Sequence, residues 1–445
     1  MNAGPLSNDI RDRVVAALYR EAEGIARKAV RRASAAATWE HRWDDFLTAP
    51  VTGFAIMGLM LGLAFWITIV GANYFSEILA ALFASAEGRL LAFLTALGSP
   101  AWLTGPLVLG VWRTVGWVVS VMLPPMAIFF PIFTLLEDLG YLPRVAFNLD
   151  YLFKKCGTHG KQALTMCMGF GCNAAGVVAC RIIDSPRERL IATVTNNLVP
   201  CNGRFPTLIL MASLFLSGTL GSLGVALAML AAVLLGTAMT LLVSYLLSRT
   251  WLKGIPSTFA LELPPYRPPQ LGQVILRSLL DRTLFVLGRA VTVAAPAGLV
   301  IYLLANIDAG GLPLLHHVAG WLEPFAKALG LDGMILLAFL LGLPANEIVV
   351  PLILMGYLAG GSLIEVESIS ELRELLVVRH GWTWLTAVNV MLFSLFHFPC
   401  GTTLLTILKE TKSRKWTALA FLIPTGVGIS LCFLLTQGVR LLGLA

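Results

Sequence analysis

The chain alternates long apolar runs with short charged segments. The runs without Asp, Glu, Lys or Arg include residues 46–76, 114–136, 205–248, 290–307, 381–408 and 416–439. A helix needs about 20 apolar residues to cross the hydrocarbon core of a bilayer. The run at 205–248 is long enough for two spans joined by the turn "SGTLGS" at Ser217–Ser222. The pattern therefore predicts an all-α polytopic membrane protein with seven full spans and two re-entrant segments.

Composition and charge agree with a membrane protein. Of the 445 residues, 57% are hydrophobic and 13% charged, whereas soluble domains average about 25% charged residues. The formal charge is +7, and the basic residues cluster at 11–42, 144–161, 181–189, 249–289 and 409–415. By the positive-inside rule these segments, the N-terminus included, face the cytoplasm. Because topology accounts for the charge, we expect the lipid bilayer as a partner and no nucleic acid.

The charge and proline pattern divides the chain into four parts. Residues 1–45 are expected to form a cytoplasmic amphipathic helix and linker, since the first apolar run begins too late for a signal peptide. Residues 46–248 form a first membrane half. A proline-rich cytoplasmic loop follows at 249–283, and residues 284–445 form a second membrane half.

The two halves resemble each other at a constant offset of 173 residues. The matched pairs are Leu149/Leu322, Asp150/Glu323, Lys154/Lys327, Gly157/Gly330, Gly160/Gly333, Leu164/Leu337, Gly169/Gly342, Asn173/Asn346 and Val177/Val350. A second similarity, between "VPCNGRFPTLIL" and "FPCGTTLLTIL", has an offset of 199, so we expect an insertion at 365–380. Segment 162–180 has basic residues on both sides, whereas 333–358 is followed by an acidic loop. This arrangement predicts two repeats of inverted topology with broken, re-entrant helices.

Three places interrupt the apolar pattern with glycine, proline and polar residues. They are "GFGCNAAGVVACR" at 169–181, "NNLVPCNGRFP" at 196–206, and "GLPANEIVVP" at 342–351 with its companion "HFPCG" at 397–401. Broken backbone at membrane depth persists only where it is buried in protein or lines a cavity. We therefore expect these breaks to form the functional site.

The side chains at the breaks suggest a transition-metal path. Glu347 is an intramembrane carboxylate, which usually marks an ion pathway, although a place at the membrane edge or beside a helix N-terminus remains an alternative. Cys172, Cys201 and Cys400 are either inert buried thiols or soft ligands. Thiolate, carboxylate and amide oxygen suit Fe²⁺ or Zn²⁺ better than Na⁺ or Mg²⁺.

Three further side chains complete the candidate ligand set. Asn173 and Asn346 would supply amide oxygen, and His397 lies one turn before Cys400. A backbone carbonyl would satisfy His397 equally well. The remaining cysteines are interpreted as structural: Cys156, Cys167, Cys180 and Cys432.

These motifs resemble the membrane part of the FeoB family of bacterial ferrous-iron transporters. The segment around "GFGCN" resembles the first Gate segment of that family, and "PCNGRFP" resembles its S-C-x-A-R-x-P element. "ANEIVVPLILMGYL" resembles the second Gate, and "FPCGTTLLTILKETKSRKW" resembles the closing F-P-C and K-E-T-x-S-x-K-W elements. The resemblance covers roughly residues 40 to 440. It implies a multi-pass bacterial inner-membrane protein that moves Fe²⁺ into the cytoplasm.

The resemblance also implies that Cys172, Cys201 and Cys400 line the ion path. Two departures stand out. These 445 residues contain no N-terminal GTP-binding domain of the kind usual in the family. Two alternatives follow: a separate GTP-binding protein that docks on the cytoplasmic face, or a gated channel or ion-coupled carrier that works alone. The second Gate has Ala-Asn-Glu where many members have Ala-Lys-Glu, which removes a positive charge beside Glu347.

The sequence therefore predicts a transporter, not an enzyme, that carries a divalent metal, most readily ferrous iron, through a cysteine-lined path between two Gate repeats. No tightly bound cofactor is expected, and a homo-oligomer is compatible with the pattern. One alternative is a nucleoside or other small-solute carrier of the same fold, whose site would favour Asn, Gln, Glu and aromatic residues over three thiols. Another is a membrane regulator that transports nothing.

Overall fold

A computed structural model describes residues 5–29, 36–254, 266, 270–272, 276, 278–358, 361–363 and 369–443. Parts of the predicted N-terminal segment, of the 249–283 loop and of the 365–380 insertion lie outside these residues.

The first half contains α1 (Pro5–Ala29), α2 (Ala36–Thr48), α3 (Pro50–Ala96), α4 (Ala101–Thr104), α5 (Arg113–Asp138), α6 (Tyr141–Lys155), α7 (Lys161–Gly171), α8 (Asn173–Ala179), α9 (Pro186–Thr195) and α10 (Phe205–Arg249). The second half contains α11 (Phe285–Asn306), α12 (Leu314–Ala328), α13 (Gly333–Leu341), α14 (Val349–Tyr357), α15 (Ile369–Arg373), α16 (Trp384–Phe396), α17 (Gly401–Thr411) and α18 (Arg414–Leu441). A two-residue hairpin pairs β1 (Asp308–Ala309) with β2 (Leu312–Pro313).

The helices confirm the all-α polytopic fold. Among the described residues, 7 helical segments are long and apolar enough to cross a membrane: Val51–Ala96, Ala101–Asp138, Pro186–Phe215, Leu223–Arg249, Val286–Asn306, Trp384–Thr411 and Arg414–Leu441. Helix α10 is interrupted at Gly221, where φ is 60° and ψ is −151°. Glycine adopts this backbone conformation without a steric penalty, and the chain turns there between two spans, as the "SGTLGS" motif predicted.

Helices α7 and α8 form a first short hairpin that returns to the end at which it began. The chain breaks at Cys172, between Gly171 and Asn173. Lys161, the first residue of α7, forms a 2.6 Å ion pair with Asp184, which follows α8. The two ends of this segment therefore lie together, at an end of the bundle that we name the basic end after Lys161, Arg181 and Arg187.

Helices α13 and α14 form a second hairpin of the same kind. Asp332, which precedes α13, accepts a hydrogen bond from the hydroxyl group of Tyr357, the last residue of α14. Trp382 donates to the same hydroxyl group over 3.0 Å. The base of the second hairpin is therefore held by residues from its own two ends and by the segment that leads into α16.

The two hairpin bases lie at opposite ends of one membrane-crossing segment. The segment Trp384–Thr411, made of α16 and α17, is apolar enough to cross a membrane. It begins beside Trp382 at the base of the second hairpin. It ends with Glu410, which pairs with Arg181 at the base of the first hairpin. The hairpin tips therefore point toward each other; that the two halves are inverted repeats stays a prediction.

Matched positions of the two halves make the same local contacts. The backbone N–H of Gly160 donates to Asp150 over 2.8 Å, and that of Gly333 donates to Glu323 over 2.6 Å. Each carboxylate also forms an ion pair with the lysine four residues later, at 2.7 Å and 3.2 Å. The offset of 173 therefore joins residues in equivalent surroundings, and the largest apolar core cluster of the described residues packs around the second hairpin.

Candidate functional site

Glycine residues let a neighbouring side chain pack closely against the tip of the first hairpin. Cys172 has an extended backbone, with φ −155° and ψ 123°, between two helices. A Cβ on Gly169 or Gly176 would lie within 2.7 Å or 2.5 Å of the Asn196 side chain. Glycine at both positions therefore lets the buried Asn196 approach the backbone of the tip. Its amide nitrogen donates to the Asn173 carbonyl oxygen over 3.1 Å.

The Asn173 side chain connects this tip to the second break. In the orientation that satisfies its neighbours, its amide nitrogen donates to the carbonyl oxygens of Gly169, at 3.1 Å, and Val199, at 3.3 Å. The first carbonyl belongs to the end of α7, and the second precedes Cys201 by two residues. Asn173 therefore supplies the donor that the broken helix lacks, in addition to its predicted place among the ligands.

The second break contains a buried arginine that the sequence interpretation did not select. Arg204 is 0% exposed. It donates to the carbonyl oxygens of Asn197 over 3.0 Å, of Leu395 over 2.7 Å and of His397 over 3.0 Å. The last two lie where α16 ends, so Arg204 joins the breaks of the two halves. A sequence signal existed, because Arg204 is the last charge before a run of 44 uncharged residues at 205–248.

Glu347 lies at the tip of the second hairpin, against the turn that carries Cys201. A Cβ on Gly203 would be 2.3 Å from Glu347 Oε1, so the carboxylate occupies the space that glycine leaves. The carboxylate is half-buried and within electrostatic range of the Cys201 and Cys400 thiols. Glu347 lies in the first turn of the short helical segment Asn346–Ile348 that leads into α14, as the helix N-terminus alternative expected, and its place on an ion pathway stays a prediction.

His397, Asn346 and Cys201 form a row across the junction of the two halves. His397 Nε2 lies 3.1 Å from Asn346 Oδ1, and Asn346 Nδ2 lies 4.0 Å from Cys201 Sγ. His397 Nδ1 faces the carbonyl oxygen of Ser394 at 2.9 Å. The backbone-carbonyl alternative for His397 therefore applies to one ring nitrogen, while the other faces the candidate ligands.

Cys400 completes the group at the start of α17. Its Sγ lies 3.2 Å from the Thr403 hydroxyl oxygen. The Cys172 thiol is within electrostatic range of both Cys400 and Cys201. The structure thus places the three predicted thiols at the meeting point of the breaks, and Thr403 is a polar neighbour that the sequence did not indicate.

The group is not a compact metal-binding cluster. Within the part of the chain that the structure describes, no three His, Cys, Asp or Glu side chains are close enough together to hold one metal ion. The candidate ligands are instead distributed over both hairpin tips and over two companion breaks, the segments 196–206 and 397–401. Such an arrangement offers successive contacts to a ligand and does not enclose it at one point.

Comparison with known families places this junction inside a recognised domain. The Gate family profile, described as nucleoside recognition, matches residues 119–215 and 287–414, which include both hairpins and both companion breaks. A second profile, described as ferrous iron transport protein B C terminus, matches residues 229–281. No solved structure gives a significant match to the chain.

Several curated proteins are similar over most of the chain. The Fe(2+) transporter FeoB of Staphylococcus aureus (strain MSSA476) is 29% identical over 406 residues, which cover 89% of this chain and 58% of that protein. The Fe(2+) transporter FeoB of Methanocaldococcus jannaschii is 28% identical over 421 residues, covering 92% of this chain and 60% of that protein. A Porphyromonas gingivalis relative, 26% identical over 372 residues and 73% of this chain, is named a fusion of Fe(2+) transport protein A with FeoB.

The chain spans about three-fifths of the length of the first two relatives. The matched region contains the hairpins and breaks described above, and the expected resemblance is confirmed. The chain therefore belongs to the Gate family and corresponds to the membrane part of FeoB proteins.

Proposed function

We propose that this protein carries a divalent transition metal, ferrous iron in the first place, across the bacterial inner membrane into the cytoplasm. The relatives named Fe(2+) transporter support the substrate. The positive-inside rule supports placing the basic end, with Lys161, Arg181 and Arg187, in the cytoplasm together with the N-terminus. The activity is transport and not catalysis.

The observation that carries the proposal is the meeting of three thiols and one carboxylate at four helix breaks. Asn173, next to Cys172, donates to the Val199 carbonyl oxygen, two residues before Cys201. Gly401, next to Cys400, donates to the Leu343 carbonyl oxygen of the second tip over 2.6 Å, and Glu347 faces the turn that holds Cys201. Thiolate sulfur is a soft ligand that favours transition metals over Mg²⁺ or Na⁺. Conduction requires sites that are favourable enough to enter and weak enough to leave, and distributed ligands meet both conditions.

The polar side chains at the junction fit a supporting role. Asn346 and His397 lie between the halves, and their oxygen and nitrogen atoms offer intermediate ligands as the ion passes Cys201. Asn173 holds the first tip in shape. An ion entering from the far end would exchange part of its water for these atoms and leave between α8 and α17 at the basic end.

We propose that a separate GTP-binding protein docks on the basic end and supplies the energy for transport. The exposed side chains there include Arg249 and Lys253, and Arg187 donates to the carbonyl oxygen of Leu252. Purified protein that transports iron without any partner would instead identify a self-sufficient channel or carrier. Adding a GTP-binding protein to the same vesicles separates these two cases.

Radiolabelled Fe²⁺ uptake into proteoliposomes tests the proposal. We expect Cys172→Ser, Cys201→Ser and Cys400→Ser each to lower uptake roughly tenfold, because serine is a poor ligand for a borderline metal. Cys432→Ser is the matched control, since Cys432 is buried like Cys172 and Cys201 but donates to the Asn389 carbonyl oxygen away from the breaks. Unchanged uptake in all three variants would reject the thiol path.

A nucleoside carrier is the second candidate, because the Gate profile is described as nucleoside recognition. The same vesicles with a labelled nucleoside test it directly. Nucleoside uptake that is insensitive to the three cysteine substitutions, together with no metal uptake, would favour this function. Absence of any uptake, with and without a GTP-binding protein, would favour a regulator.

A further inference from the structure

Arg204 carries a positive charge into the junction of the two halves. No carboxylate among the described residues pairs with it, and its Nε makes no hydrogen bond. An arginine inside a membrane is expensive and usually faces a functional cavity or a partner. Three carbonyl oxygens accept hydrogen bonds from its Nη1 and Nη2 atoms without neutralising its charge. The charge is therefore available to act on whatever enters the junction.

The position of Arg204 relative to the candidate ligands gives this charge a target. Arg204 follows Cys201 by three residues and donates to the carbonyl oxygen of His397, three residues before Cys400. It is within electrostatic range of both thiols. Glu347, whose carboxylate lies against Gly203 of the same turn, carries the opposite charge. Arg204 and Glu347 therefore place one positive and one negative charge beside the thiols.

This balance affects hard and soft cations differently. Glu347 alone would attract any divalent cation, and Arg204 offsets that attraction for any divalent cation. A divalent cation that binds two cysteines displaces their two thiol protons, which pass to water, and the resulting neutral unit is not repelled by Arg204. A cation held only by amide oxygen and water keeps its two positive charges and is repelled. Selection then depends on bonding to sulfur, which Fe²⁺ accepts and Mg²⁺ does not.

We propose that Arg204 is a specificity-determining residue that excludes hard divalent cations such as Mg²⁺ by offsetting the charge of Glu347 beside the cysteine path. The inference rests on the proposed metal transport and names the chemical class that the path rejects. Arg204 also positions the two breaks through its three carbonyl contacts. A purely structural role predicts a loss of all transport, whereas the specificity role predicts a change in which ions pass.

The test compares Fe²⁺ and Mg²⁺ uptake by the same proteoliposomes for wild type, Arg204→Gln and Arg204→Lys. We expect Arg204→Gln to lower the ratio of Fe²⁺ to Mg²⁺ uptake by about tenfold or more, which corresponds to about 1.4 kcal/mol at the barrier. Arg204→Lys keeps the charge and is expected to keep the ratio. Both variants are checked for folding by size-exclusion chromatography and thermal unfolding.

Arg144→Gln is the matched control. Arg144 is also buried, at 2% exposed, but pairs with Asp44 over 3.0 Å outside the junction, so its removal is expected to leave the ratio unchanged. An unchanged ratio in folded Arg204→Gln, or an equal change in Arg204→Lys, overturns the proposal. If Arg204→Gln does not fold, the Lys variant decides: a lowered ratio rejects the charge argument, a kept ratio with reduced Fe²⁺ uptake assigns Arg204 a structural role only, and a kept ratio with full Fe²⁺ uptake supports the proposal. Failure of the wild type to transport Fe²⁺, with and without a GTP-binding protein, would instead reject the proposed function.

Discussion

Cys172 and Ala345 adopt the same backbone conformation at the tips of the two hairpins, with φ and ψ of −155° and 123° for Cys172 and −154° and 125° for Ala345. They are separated by the same 173 positions that align the halves, and asparagine follows each of them. The first tip continues to Ala174, the second to Glu347. The same backbone conformation therefore occurs at a thiol in the first tip, Cys172, and two residues before a carboxylate in the second tip, Glu347.

The bases of the two hairpins give a first prediction. A Cβ on Gly160 would be 2.4 Å from the Ala146 carbonyl oxygen, and one on Gly333 would be 2.0 Å from the Ala319 carbonyl oxygen. Backbone oxygen cannot move without its helix, so we expect Gly160→Ala and Gly333→Ala each to destabilise the protein by about 2–3 kcal/mol. The measurement is the midpoint of thermal unfolding in detergent.

Gly426→Ala is the control for both substitutions. Nothing lies within 4 Å of a Cβ at Gly426, and alanine in a helix is more favourable than glycine by up to about 1 kcal/mol. We expect an unchanged or higher midpoint. Equal midpoints for all three variants would show that the contacts at Gly160 and Gly333 relax freely, against the matched roles described above.

The sequence predicted the tips because their signals are local. Glycine, asparagine and cysteine interrupt an otherwise apolar run at Gly169–Asn173, and a broken helix in a membrane must be buried in protein or line a cavity. The constant offset then carried the same interpretation to Asn346 and Glu347. Three cysteines were selected for the same reason, and the structure places all three beside the breaks.

The sequence did not predict the contacts that hold the breaks together. Arg204 bonds to Leu395 and His397, about 190 positions away in the chain, and no local pattern indicates such a partner. Asn196 likewise fits between two glycines of a different segment. These residues act through distant carbonyl oxygens and space left by absent side chains, which appear only when the two halves are packed.

A second prediction concerns the amide of Asn173. Asn173→Ala leaves the carbonyl oxygens of Gly169 and Val199 without their donor inside the protein. Each buried unsatisfied group costs about 1–3 kcal/mol, so we expect a clear fall in the unfolding midpoint. We expect the unfolding midpoint of Asn173→Asp to fall by a similar amount, because a carboxylate accepts hydrogen bonds and cannot donate to a carbonyl oxygen.

Asn202→Ala serves as the comparison for Asn173. Asn202 is half-buried in the neighbouring turn, and its side chain makes no hydrogen bond with other described residues. We expect its midpoint to remain close to that of the wild type. A fall as large as that of Asn173→Ala would mean that the two carbonyl contacts do not explain the stability of the tip.

A third prediction follows from the ion pair that joins α8 and α17 at the basic end. Arg181 donates from Nε and Nη2 to the two carboxylate oxygens of Glu410, over 2.8 Å and 2.7 Å. Arg181 is 66% exposed, so solvent limits the pair to about 1 kcal/mol or less despite its bidentate geometry. We expect Arg181→Glu to lower the unfolding midpoint at low salt.

The charge exchange Arg181→Glu with Glu410→Arg tests the pairing itself. We expect the double variant to recover most of the lost stability, and the difference between single and double variants to shrink as salt rises. Measurements at two salt concentrations provide the comparison. A double variant no more stable than the single one would show that the pair contributes nothing.

A fourth prediction uses the acid sensitivity of His159, in the loop before α7. Its Nδ1 accepts the backbone N–H of Lys161 over 3.0 Å, which requires an unprotonated nitrogen. Burial lowers the pKa of His159 below its ordinary 6.5; the charge of Lys161 also lowers it, while Glu188, Asp150 and Asp184 oppose the shift. Below the ordinary pKa the unfolded chain therefore binds more protons than the folded one, and stability falls as the pH falls.

We expect wild-type stability to decrease between about pH 7.5 and about pH 5.5 by more than that of His159→Asn. Asparagine keeps an acceptor for the N–H two residues later and does not titrate, so the variant retains the start of α7 and loses the pH dependence. Thermal unfolding at the two pH values measures both slopes. Because every other histidine remains in the variant, parallel slopes would assign the acid sensitivity to another group and reject the role of His159 at the base of the first hairpin.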